Sequence, residues 1–298
     1  MTDFSEDQIL QLPFWKGPVR MDSIDGGITN KNFVVSDSKG RYFVRLGEDI
    51  PLHGVMRFNE LQASRAAAKI GLSPEVLHHA PGALVLRFIE GTTLRPEDVR
   101  QEAYLTQIID MLGTCHREMK RAVRGPALIF WAFHVISDYI ATLREDRSRM
   151  VAILPDLLKK SEELEGALGP VEIAFCHNDL LAANFIDDGQ RLWLIDWDYA
   201  GYNSPLFDLA NLAANNELSE DQEVALLARY QGRVPDPTIR LGFAAMKCAS
   251  ALRETLWSMV SEIHSQIEFD FEAYTDENLE RFEHQWSLFK RLAQTRPN

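Results

Sequence analysis

Three polar residues lie close together in the segment CHNDLLAANFI, residues 176–186. His177 and Asp179 follow the apolar run VEIAF, and Asn184 comes five positions after Asp179. A carboxylate can orient a hydroxyl group and accept its proton, and an amide oxygen can help to hold Mg²⁺ against phosphate groups. This spacing predicts phosphoryl transfer to an alcohol, with Asp179 as the catalytic base and Asn184 as a metal ligand.

A second carboxylate for the metal follows in LWLIDWD, where Asp196 ends an apolar strand. A strand and its return hairpin would bring Asn184 and Asp196 together. Taken singly, Asp179, Asn184 and Asp196 are more often turn caps or strand ends than catalytic groups. Their combination, HxDx4N followed by an apolar strand that ends in aspartate, favours a kinase-type site.

The composition sets limits on the class of protein. A chain of 298 residues with 46% hydrophobic residues is long enough for a substantial core and suggests two domains or lobes. The net charge of −13 argues against a nucleic-acid partner, because a phosphate backbone requires a concentrated basic surface. A cationic substrate is compatible with this charge.

The cysteines and the N-terminus indicate the compartment. Cys115, Cys176 and Cys248 are odd in number and far apart, which excludes a disulfide framework and a CxxC site. The N-terminus is acidic and lacks the pattern of a signal peptide, and no apolar run approaches the length of a membrane span. We therefore expect a cytoplasmic protein that does not insert into membranes.

The candidate catalytic and binding residues are distributed over two predicted regions of the chain, a strand-rich region and, after it, a helical region. Strands are predicted at 21–24, 32–37, 41–47, 75–80 and 83–91, with a turn at 38–40. Helices are predicted at 56–70, from Pro96 to about 122, and at 131–146, 155–166, 205–216, 219–231, 237–265 and 275–293. The expected domains are residues 1–90, a nucleotide-binding lobe, and residues 91–298, a catalytic and acceptor-binding lobe.

Several segments together resemble those of the choline/ethanolamine kinase family, within the larger aminoglycoside phosphotransferase group. They are GGITNKN, YFVRL, Glu60, FIEG, CHNDLLAANF, LIDWDYAGYNSPLFDLAN and LWSMVSEIHSQIEFDFEAY, and they cover nearly the whole chain. The resemblance implies an α+β, two-lobed protein-kinase-like fold, with a small N-terminal antiparallel-sheet lobe carrying one helix and a larger, mainly helical C-terminal lobe. It also implies ATP and Mg²⁺ as cofactors.

The resemblance assigns roles around the phosphoryl-transfer motif. Asp179 is the base or orienter of the acceptor hydroxyl, and Asn184 and Asp196 bind magnesium. His177 is the second catalytic candidate, with packing and hydrogen bonding in the catalytic loop expected ahead of proton transfer. Asp208, in FDLAN, braces that loop from the start of a helix, and the alternative is a simple helix-terminal acid.

The resemblance also places nucleotide contacts in the first lobe. Arg45 occupies the position of the strand cation that contacts ATP phosphates, and Glu60 is its partner on the helix; the alternative is an exposed strand arginine and an exposed helix glutamate. Phe88 and Glu90 supply backbone hydrogen bonds to adenine. In GGITNKN, a tight turn is the alternative to a phosphate-binding loop. The phosphate contacts expected from that loop are Gly26, Gly27, Thr29 and Asn30.

The acceptor pocket is the part that the motifs leave most open. Trp257 and Glu254 lie three residues apart on a predicted helix and can flank an ammonium group through cation–π attraction and charge pairing. The alternative is a core tryptophan beside a solvated glutamate. The chain departs from eukaryotic relatives at Glu254 and at residues 214–216, which puts choline itself in doubt more than kinase activity.

The leading prediction is an ATP- and Mg²⁺-dependent kinase that phosphorylates a small amino alcohol, choline or ethanolamine. An aminoglycoside, thiamine or a sugar alcohol is the alternative acceptor within the same group. An inactive kinase-like ligand-binding protein is the alternative of a different class, and it is disfavoured because Asp179, Asn184 and Asp196 are all present. The oligomeric state stays open, with a homodimer among the options.

Overall fold

The computed structural model describes residues 6–24 and 30–294. The described residues group into two compact units. The first unit draws on residues 6–24, 30–95, 117–128 and 183–200, and the second on residues 96–116, 129–182 and 201–294. The domain boundary expected at residue 90 stays a prediction.

The first unit is built on a five-stranded sheet in which all neighbouring strands are antiparallel. Its strands are β1 (Arg20–Ile24), β2 (Lys31–Asp37), β3 (Gly40–Leu46), β4 (Val76–Ala80) and β5 (Ala83–Arg87), in the order β1-β2-β3-β5-β4. The turn between β2 and β3 is the predicted one, because the Asp37 carboxylate accepts hydrogen bonds from the amides of Lys39 and Gly40.

One face of this sheet is closed by an apolar cluster. Phe33 and Val35 of β2 alternate with more exposed residues and pack with Val44 of β3 and Val85 of β5. Trp15, which precedes the sheet, completes the cluster and donates from Nε1 to the carbonyl of Ile9 in helix α1 (Glu6–Leu10). Because one face is buried, the register of the strands is determined.

Helix α2 (Arg57–Lys69) follows β3 and confirms the helix predicted at 56–70. Its buried positions include Glu60 as well as small alanines. Gly71, two residues after the end of the helix, has a φ of +78° that suits glycine at this position. The sequence of this helix therefore presents an acidic side chain on its buried face.

A small three-stranded sheet completes the first unit. It contains β6 (Thr92–Thr93), β8 (Phe185–Asp187) and β9 (Leu192–Leu194), in the order β6-β8-β9. The hairpin of β8 and β9 is the predicted one. Gly91 precedes β6, and a Cβ atom there would lie 2.5 Å from the carbonyl oxygen of Asp187, so this approach of the two backbones requires glycine.

The rest of the chain is mainly helical. A two-stranded sheet pairs β7 (Ala174–Cys176) with β10 (Gly201–Asn203). The helices are α3 (Pro96–Val99), α4 (Glu102–Ala122), α5 (Ala132–Glu145), α6 (Leu154–Gly166), α7 (Pro205–Asn215), α8 (Glu220–Gln231), α9 (Pro237–His264) and α10 (Phe271–Gln294). Within residues 6–24 and 30–294, no helix has the length and apolar content required to cross a membrane.

Two helices differ from the prediction. The stretch that begins at Pro96 is two helices rather than one, and the carbonyl of Arg100, between them, accepts a hydrogen bond from the side chain of Gln222. Helix α10 begins at Phe271 rather than at residue 275. Asp270 caps it, since its carboxylate accepts a hydrogen bond of 3.0 Å from the amide of Ala273.

Candidate active site

Arg45 lies near the centre of a charged cluster in the first unit. It is carried by β3, and its Nη1 donates to Glu60 Oε1 at 2.8 Å, to Asp196 Oδ1 at 3.0 Å and to Asp198 Oδ1 at 2.9 Å. The Arg45 side chain is only 6% exposed. The structure thus brings together Arg45, Glu60 and Asp196, three of the residues singled out in the sequence.

Two further side chains share this cluster. Arg57, one turn before Glu60 on α2, donates from Nη1 to Glu60 Oε2 at 2.8 Å and to Asp198 Oδ1 at 2.9 Å. Asn30 accepts from Arg57 Nη2 at 2.7 Å and donates to Asp198 Oδ2 at 2.8 Å. Sequence reasoning missed Arg57 and Asp198, although the second acid of IDWD and an arginine at i−3 of Glu60 were visible signals.

The ionisation of the cluster follows from its burial and its charges. Burial acts to lower the pKa of the Arg45 guanidinium, but Asp196, Asp198 and Glu60 together raise it above its ordinary value. Burial raises the pKa of Glu60. Burial also acts to raise the pKa of Asp198, but Arg45 and Arg57 lower it. Three carboxylates therefore face two arginines in a site where removal of one member affects the others.

The segment Asp196–Asp198 is held by the tryptophan between the two acids. Trp197 is 2% exposed and donates from Nε1 to Ser73 Oγ at 2.8 Å. Asp196 has a φ of +67°, a left-handed conformation that is costly for a non-glycine residue and often marks a functional site. Its side chain keeps 29% exposure, so a carboxylate oxygen can reach a ligand.

Asn184 lies at the other side of the same hairpin. Its carbonyl accepts a hydrogen bond of 2.9 Å from the amide of Ile195, the residue before Asp196. The predicted hairpin thus places the backbones of the two expected magnesium ligands next to each other. Both offer oxygen atoms, which are the ligands that Mg²⁺ prefers.

One donor of Arg45 in this cluster has no hydrogen-bond partner among residues 6–24 and 30–294. In the described part of the chain, Arg45 Nε is buried and finds no hydrogen-bond partner. A buried guanidinium nitrogen without an acceptor is rare in folded proteins. An anionic oxygen, such as one of a phosphate group, matches this donor in charge and in hydrogen-bonding capacity.

The other expected nucleotide contacts have a different status. Gly26, Gly27 and Thr29 lie outside the described residues. The Phe88 ring lies under the guanidinium of Arg41, 4.1 Å from its centre. The exposed carboxylate of Glu90 pairs with the same arginine at 2.6 Å. These contacts involve side chains and leave the expected backbone contacts to adenine as a prediction.

The loop after β7, residues 177–181, is called here the HND loop. Asp208 lies in the first turn of α7, which begins at Pro205 after a Ser204 cap. The two oxygens of the buried Asp208 accept hydrogen bonds from the backbone amides of His177, at 2.9 Å, and Asn178, at 2.8 Å. A helix-borne carboxylate thus holds the backbone of the loop directly.

The backbone conformation of the HND loop determines how Asp179 is presented. Asn178 has a φ of +69°, which asparagine tolerates better than most residues. The buried His177 accepts a hydrogen bond at Nδ1 from the amide of Asp179, at 3.3 Å. Asp179 is half-buried, whereas residues 174–178 before it are buried. The loop therefore exposes the carboxylate-bearing residue that follows a buried strand.

Two asparagines that sequence reasoning missed fix the next residue of the HND loop. The amide of Leu180 donates to Asn211 Oδ1 at 2.6 Å, and its carbonyl accepts from Asn216 Nδ2 at 3.1 Å. Asn211 also donates to Ser250 Oγ at 2.9 Å. The only sequence signal was the spacing of Asn211 three residues after Asp208, on the same face of α7.

A cluster of aromatic rings and one carboxylate lies in the second unit. Trp257 of α9 meets Tyr274 of α10 edge-on, with ring centres 6.4 Å apart. Phe269 lies 5.5 Å from Tyr274. The Tyr274 hydroxyl donates to Glu254 Oε1 at 2.9 Å. The structure thus joins the two predicted acceptor residues through Tyr274, and Tyr274 and Phe269 were missed although both lie in the quoted segment SQIEFDFEAY.

The alternative of a core tryptophan beside a solvated glutamate holds for Trp257 and fails for Glu254. Trp257 is 5% exposed, as a core residue is. Glu254 is not a solvated surface acid, because its second oxygen, Oε2, accepts a hydrogen bond of 2.6 Å from the buried Arg253 in an ion pair. Burial and Glu254 raise the pKa of the Tyr274 phenol, so this hydroxyl stays protonated as a donor. The acid is held in a defined position beside the rings.

The sequence matches the family model described as choline/ethanolamine kinase over residues 21–231. Ethanolamine kinase 2 of Mus musculus is 29% identical in a match that covers 88% of this chain and 75% of the relative. A choline/ethanolamine kinase family protein from Mesorhizobium loti has a solved structure with a TM-score of 0.78 and 30% identity, covering 95% of this chain and 93% of that chain.

The larger group is also represented among solved structures. A spectinomycin phosphotransferase in complex with ADP and spectinomycin has a TM-score of 0.65 at 14% identity, covering 95% of this chain and 98% of that chain. At this identity the likeness shows the fold alone, and it confirms the predicted kinase-like α+β class. The family match extends over more than half of the sequence. The chain therefore belongs to the choline/ethanolamine kinase family and is a small-molecule kinase.

Proposed function

We propose that this kinase transfers the γ-phosphoryl group of ATP to the hydroxyl of a small amino alcohol, choline or ethanolamine, with Mg²⁺ as the metal. The observation that carries the choice of acceptor is the cluster of Trp257, Phe269, Tyr274 and Glu254. Aromatic rings and a carboxylate attract an ammonium group through cation–π and charge interactions. A neutral sugar alcohol has no cation for such a cluster to bind.

The nucleotide phosphates are proposed to meet Arg45. Its guanidinium is a fixed cation, and its Nε hydrogen has no acceptor among the described residues. Its Nη1 is already held by Glu60, Asp196 and Asp198, so the guanidinium is preorganised for this contact. We also propose that the phosphates contact Gly26, Gly27, Thr29 and Asn30. Adenine is proposed to contact the backbone of Phe88 and Glu90.

The proposed metal ligands are Asn184 and Asp196. They fit Mg²⁺ by donor type, and the hairpin of β8 and β9 places their backbones next to each other. When bound there, Mg²⁺ would neutralise charge on the phosphates. Asp198 is less suited as a ligand, because Arg45, Arg57 and Asn30 already take its oxygens.

Asp179 is proposed to act on the acceptor hydroxyl. The acceptor oxygen forms a bond to the γ-phosphorus, while the bond from that phosphorus to the β,γ-bridging oxygen breaks and ADP leaves with its electron pair. The hydroxyl proton goes to the Asp179 carboxylate. Most of the catalytic effect is positioning, since the transition state of phosphoryl transfer is loose. His177, buried and bonded to the Asp179 amide, is proposed to hold the loop rather than to move a proton.

The test is a screen of the purified protein for acceptor-dependent release of ADP with Mg·ATP. Choline and ethanolamine are expected to stimulate release, and an aminoglycoside, thiamine and a sugar alcohol are not. Phosphorus NMR of the product identifies the phosphate ester. Stimulation by one of the other acceptors alone would replace the proposed substrate, and binding of ATP without turnover of any acceptor would indicate an inactive ligand-binding protein.

The acceptor cluster makes a prediction about Trp257 and Tyr274. Trp257→Ala is expected to raise the KM for the amino alcohol about 10-fold or more and to leave the KM for ATP nearly unchanged, because a desolvated cation–π contact is worth about 2 kcal/mol. Tyr274→Phe keeps the ring and loses only the hydrogen bond to Glu254, so its effect is expected to be smaller. Steady-state kinetics with each substrate varied in turn measure both. Equal losses for both substrates would assign Trp257 to the core alone.

Glu254 provides a second prediction for the same site. Glu254→Gln removes the anion and leaves the buried Arg253 cation beside the pocket with one carboxylate fewer. We expect a higher KM for both amino alcohols and a larger rise for ethanolamine, whose ammonium donates hydrogen bonds that choline lacks. The matched control is Glu262→Gln on the same helix, where the carboxylate pairs with Arg149 instead. An unchanged KM in Glu254→Gln would exclude the carboxylate from acceptor binding.

Arg45 and Glu60 are predicted to act as one unit. Arg45→Ala should strongly weaken the use of Mg·ATP, and Glu60→Ala should do so less, because it loosens Arg45 without removing it. The double variant should lose less than the two single losses combined. The KM for ATP in the four proteins measures this, with Arg20→Ala, an exposed ion-pair arginine, as control. Strict additivity would show that the pair does not work together.

The location and assembly of the protein complete the proposal. A cytoplasmic location accords with three buried free cysteines, which need no oxidising compartment. A homodimer is tested by light scattering of the purified protein. A mass equal to one chain would exclude it.

A further inference from the structure

A buried polar chain leads from helix α8 to the HND loop. The Tyr230 hydroxyl lies 2.7 Å from His116 Nδ1, and His116 Nε2 lies 2.9 Å from Asp208 Oδ2. Asp208 in turn holds the amides of His177 and Asn178. His116 is 4% exposed and Asp208 is fully buried, so water has little access to these two side chains, whereas Tyr230 is half-buried.

The partners determine the direction of each hydrogen bond. Asp208 accepts from two backbone amides, so an ionised carboxylate requires the third group facing it, His116 Nε2, to donate. In neutral imidazole the other nitrogen, Nδ1, then accepts, and the Tyr230 hydroxyl donates to it. Burial, together with Asp208 and other nearby groups, raises the pKa of Tyr230 and keeps this hydroxyl protonated. The Tyr230 hydroxyl thus complements the tautomer that Asp208 selects.

A metal site is the competing interpretation of these residues. Ligand atoms of His116, Cys176 and Asp208 lie within 4.8 Å of one another. Burial and the charge of Asp208 raise the pKa of the Cys176 thiol, which opposes the thiolate that a metal requires. The Cys176 Sγ also faces the carbonyls of Ala174 and Asn203, and both Asp208 oxygens are taken by N–H donors. The arrangement is a hydrogen-bonded chain.

We propose that His116 is a positioning residue for phosphoryl transfer, acting through Asp208 on the HND loop, with Tyr230 in support. His116 Nε2 and the His177 amide share the same carboxylate oxygen, so His116 determines where that oxygen lies. Without it, Asp208 keeps two donors from one side only and is free to rotate or admit water. The backbone of His177 and Asn178 then shifts, and Asp179, the next residue, shifts with it. The inference rests on the proposed role of Asp179.

The experiment compares variants of His116 and Tyr230 in the full chain, with Mg·ATP and with choline and ethanolamine as acceptors. His116→Ala is expected to lower kcat about 100-fold and to change both KM values little, because a small displacement of a catalytic group has an effect of this size. His116→Gln, whose amide can donate from nearly the same place as Nε2, is expected to restore a large part of kcat. Thermal unfolding establishes that each variant is folded.

Tyr230→Phe keeps the ring and removes only the hydroxyl. It is expected to lower kcat roughly two- to tenfold, the effect of one neutral hydrogen bond. In the His116→Ala background the same change is expected to have no further effect, because its contact is already lost. His264→Gln is the matched control, since this more exposed histidine pairs with Asp146 at 2.7 Å away from the chain described.

Specific results would overturn the proposal. A folded His116→Ala with the kcat of the unaltered enzyme would do so, as would a His116→Gln no better than His116→Ala. If His116→Ala does not fold, Tyr230→Phe carries the test, and a folded Tyr230→Phe with an unchanged kcat contradicts the proposal. Failure of the proposed function is distinct: the unaltered protein would then phosphorylate no amino alcohol, or Asp179→Asn would remain active.

Discussion

Asp179→Asn is expected to abolish measurable turnover while the protein stays folded and continues to bind ATP. Loss of a positioned general base lowers the rate by about 10²- to 10⁴-fold. Asparagine has nearly the same shape, and the backbone contact from the Asp179 amide to His177 Nδ1 does not depend on the carboxylate. The measurements are the rate of ADP release at saturating substrates, ATP binding by calorimetry, and the melting temperature.

The matched control for this variant lies a short distance along the chain. Asp187→Asn changes an aspartate whose Oδ1 caps a turn by accepting from the Gly189 amide at 2.8 Å, a contact that asparagine can also make. It is expected to keep normal turnover. Near-normal turnover in Asp179→Asn would remove the central catalytic assignment, whatever the control shows.

Asp196→Ala is expected to cause the second large loss, through the metal. Stabilisation of phosphate charge by a bound metal is worth several kcal/mol, so turnover should fall by at least about 10²-fold. The concentration of Mg²⁺ required for half-maximal rate should rise in parallel. Asn184→Ala should act in the same direction but less, because a neutral amide contributes less to binding a dication than a carboxylate does.

Asp198→Asn tests whether Asp198 acts as a member of the charged cluster and not as a metal ligand. Asp198 is 3% exposed at its side chain and is bonded to Arg45, Arg57 and Asn30. Its loss should lower the free energy of unfolding and weaken use of ATP, with little change in the Mg²⁺ dependence. Initial rates against free Mg²⁺ at fixed ATP compare the variants. An unchanged Mg²⁺ dependence in both Asp196→Ala and Asn184→Ala would show that the metal lies elsewhere.

The stability of the cluster also depends on pH. Because Arg45 and Arg57 lower the pKa of Asp198 below its ordinary value of 3.8, its contribution to stability is present above that value and is lost as the pH falls through the lowered pKa. The raised pKa of Glu60 acts in the opposite sense, since that carboxylate binds its proton more readily in the folded protein. In acid solution, protonation of Asp198 therefore lowers the stability of the folded protein, whereas protonation of Glu60 raises it.

Local pattern was sufficient for most of the secondary structure. The predicted turn at 38–40, helix α2 and the hairpin of β8 and β9 are all present, because each depends on residues near one another in the chain. The break after α3 was not predictable in this way. The carbonyl of Arg100, within this break, accepts a hydrogen bond from Gln222, which lies 122 residues further along the chain.

The partners of the charged residues were less accessible from sequence. Arg45 and Glu60 were paired through a family resemblance, and they lie 2.8 Å apart. Asp198 follows a strand-ending aspartate by two residues, and its burial between two arginines is visible only in the folded protein. Its bond to Asn30 joins residues 168 positions apart, and no local pattern specifies such a contact.

The sequence by itself determined the kinase family and the order of the chemical groups, because the spacing in HxDx4N and in IDWD is a covalent property that survives any packing. Tertiary structure alone decided which groups share a proton or a charge. Tyr230, His116 and Asp208 come from three helices, and Glu254 and Tyr274 from two. A hydrogen bond requires two atoms within about 3 Å, a condition set by helix packing and strand register rather than by spacing along the chain.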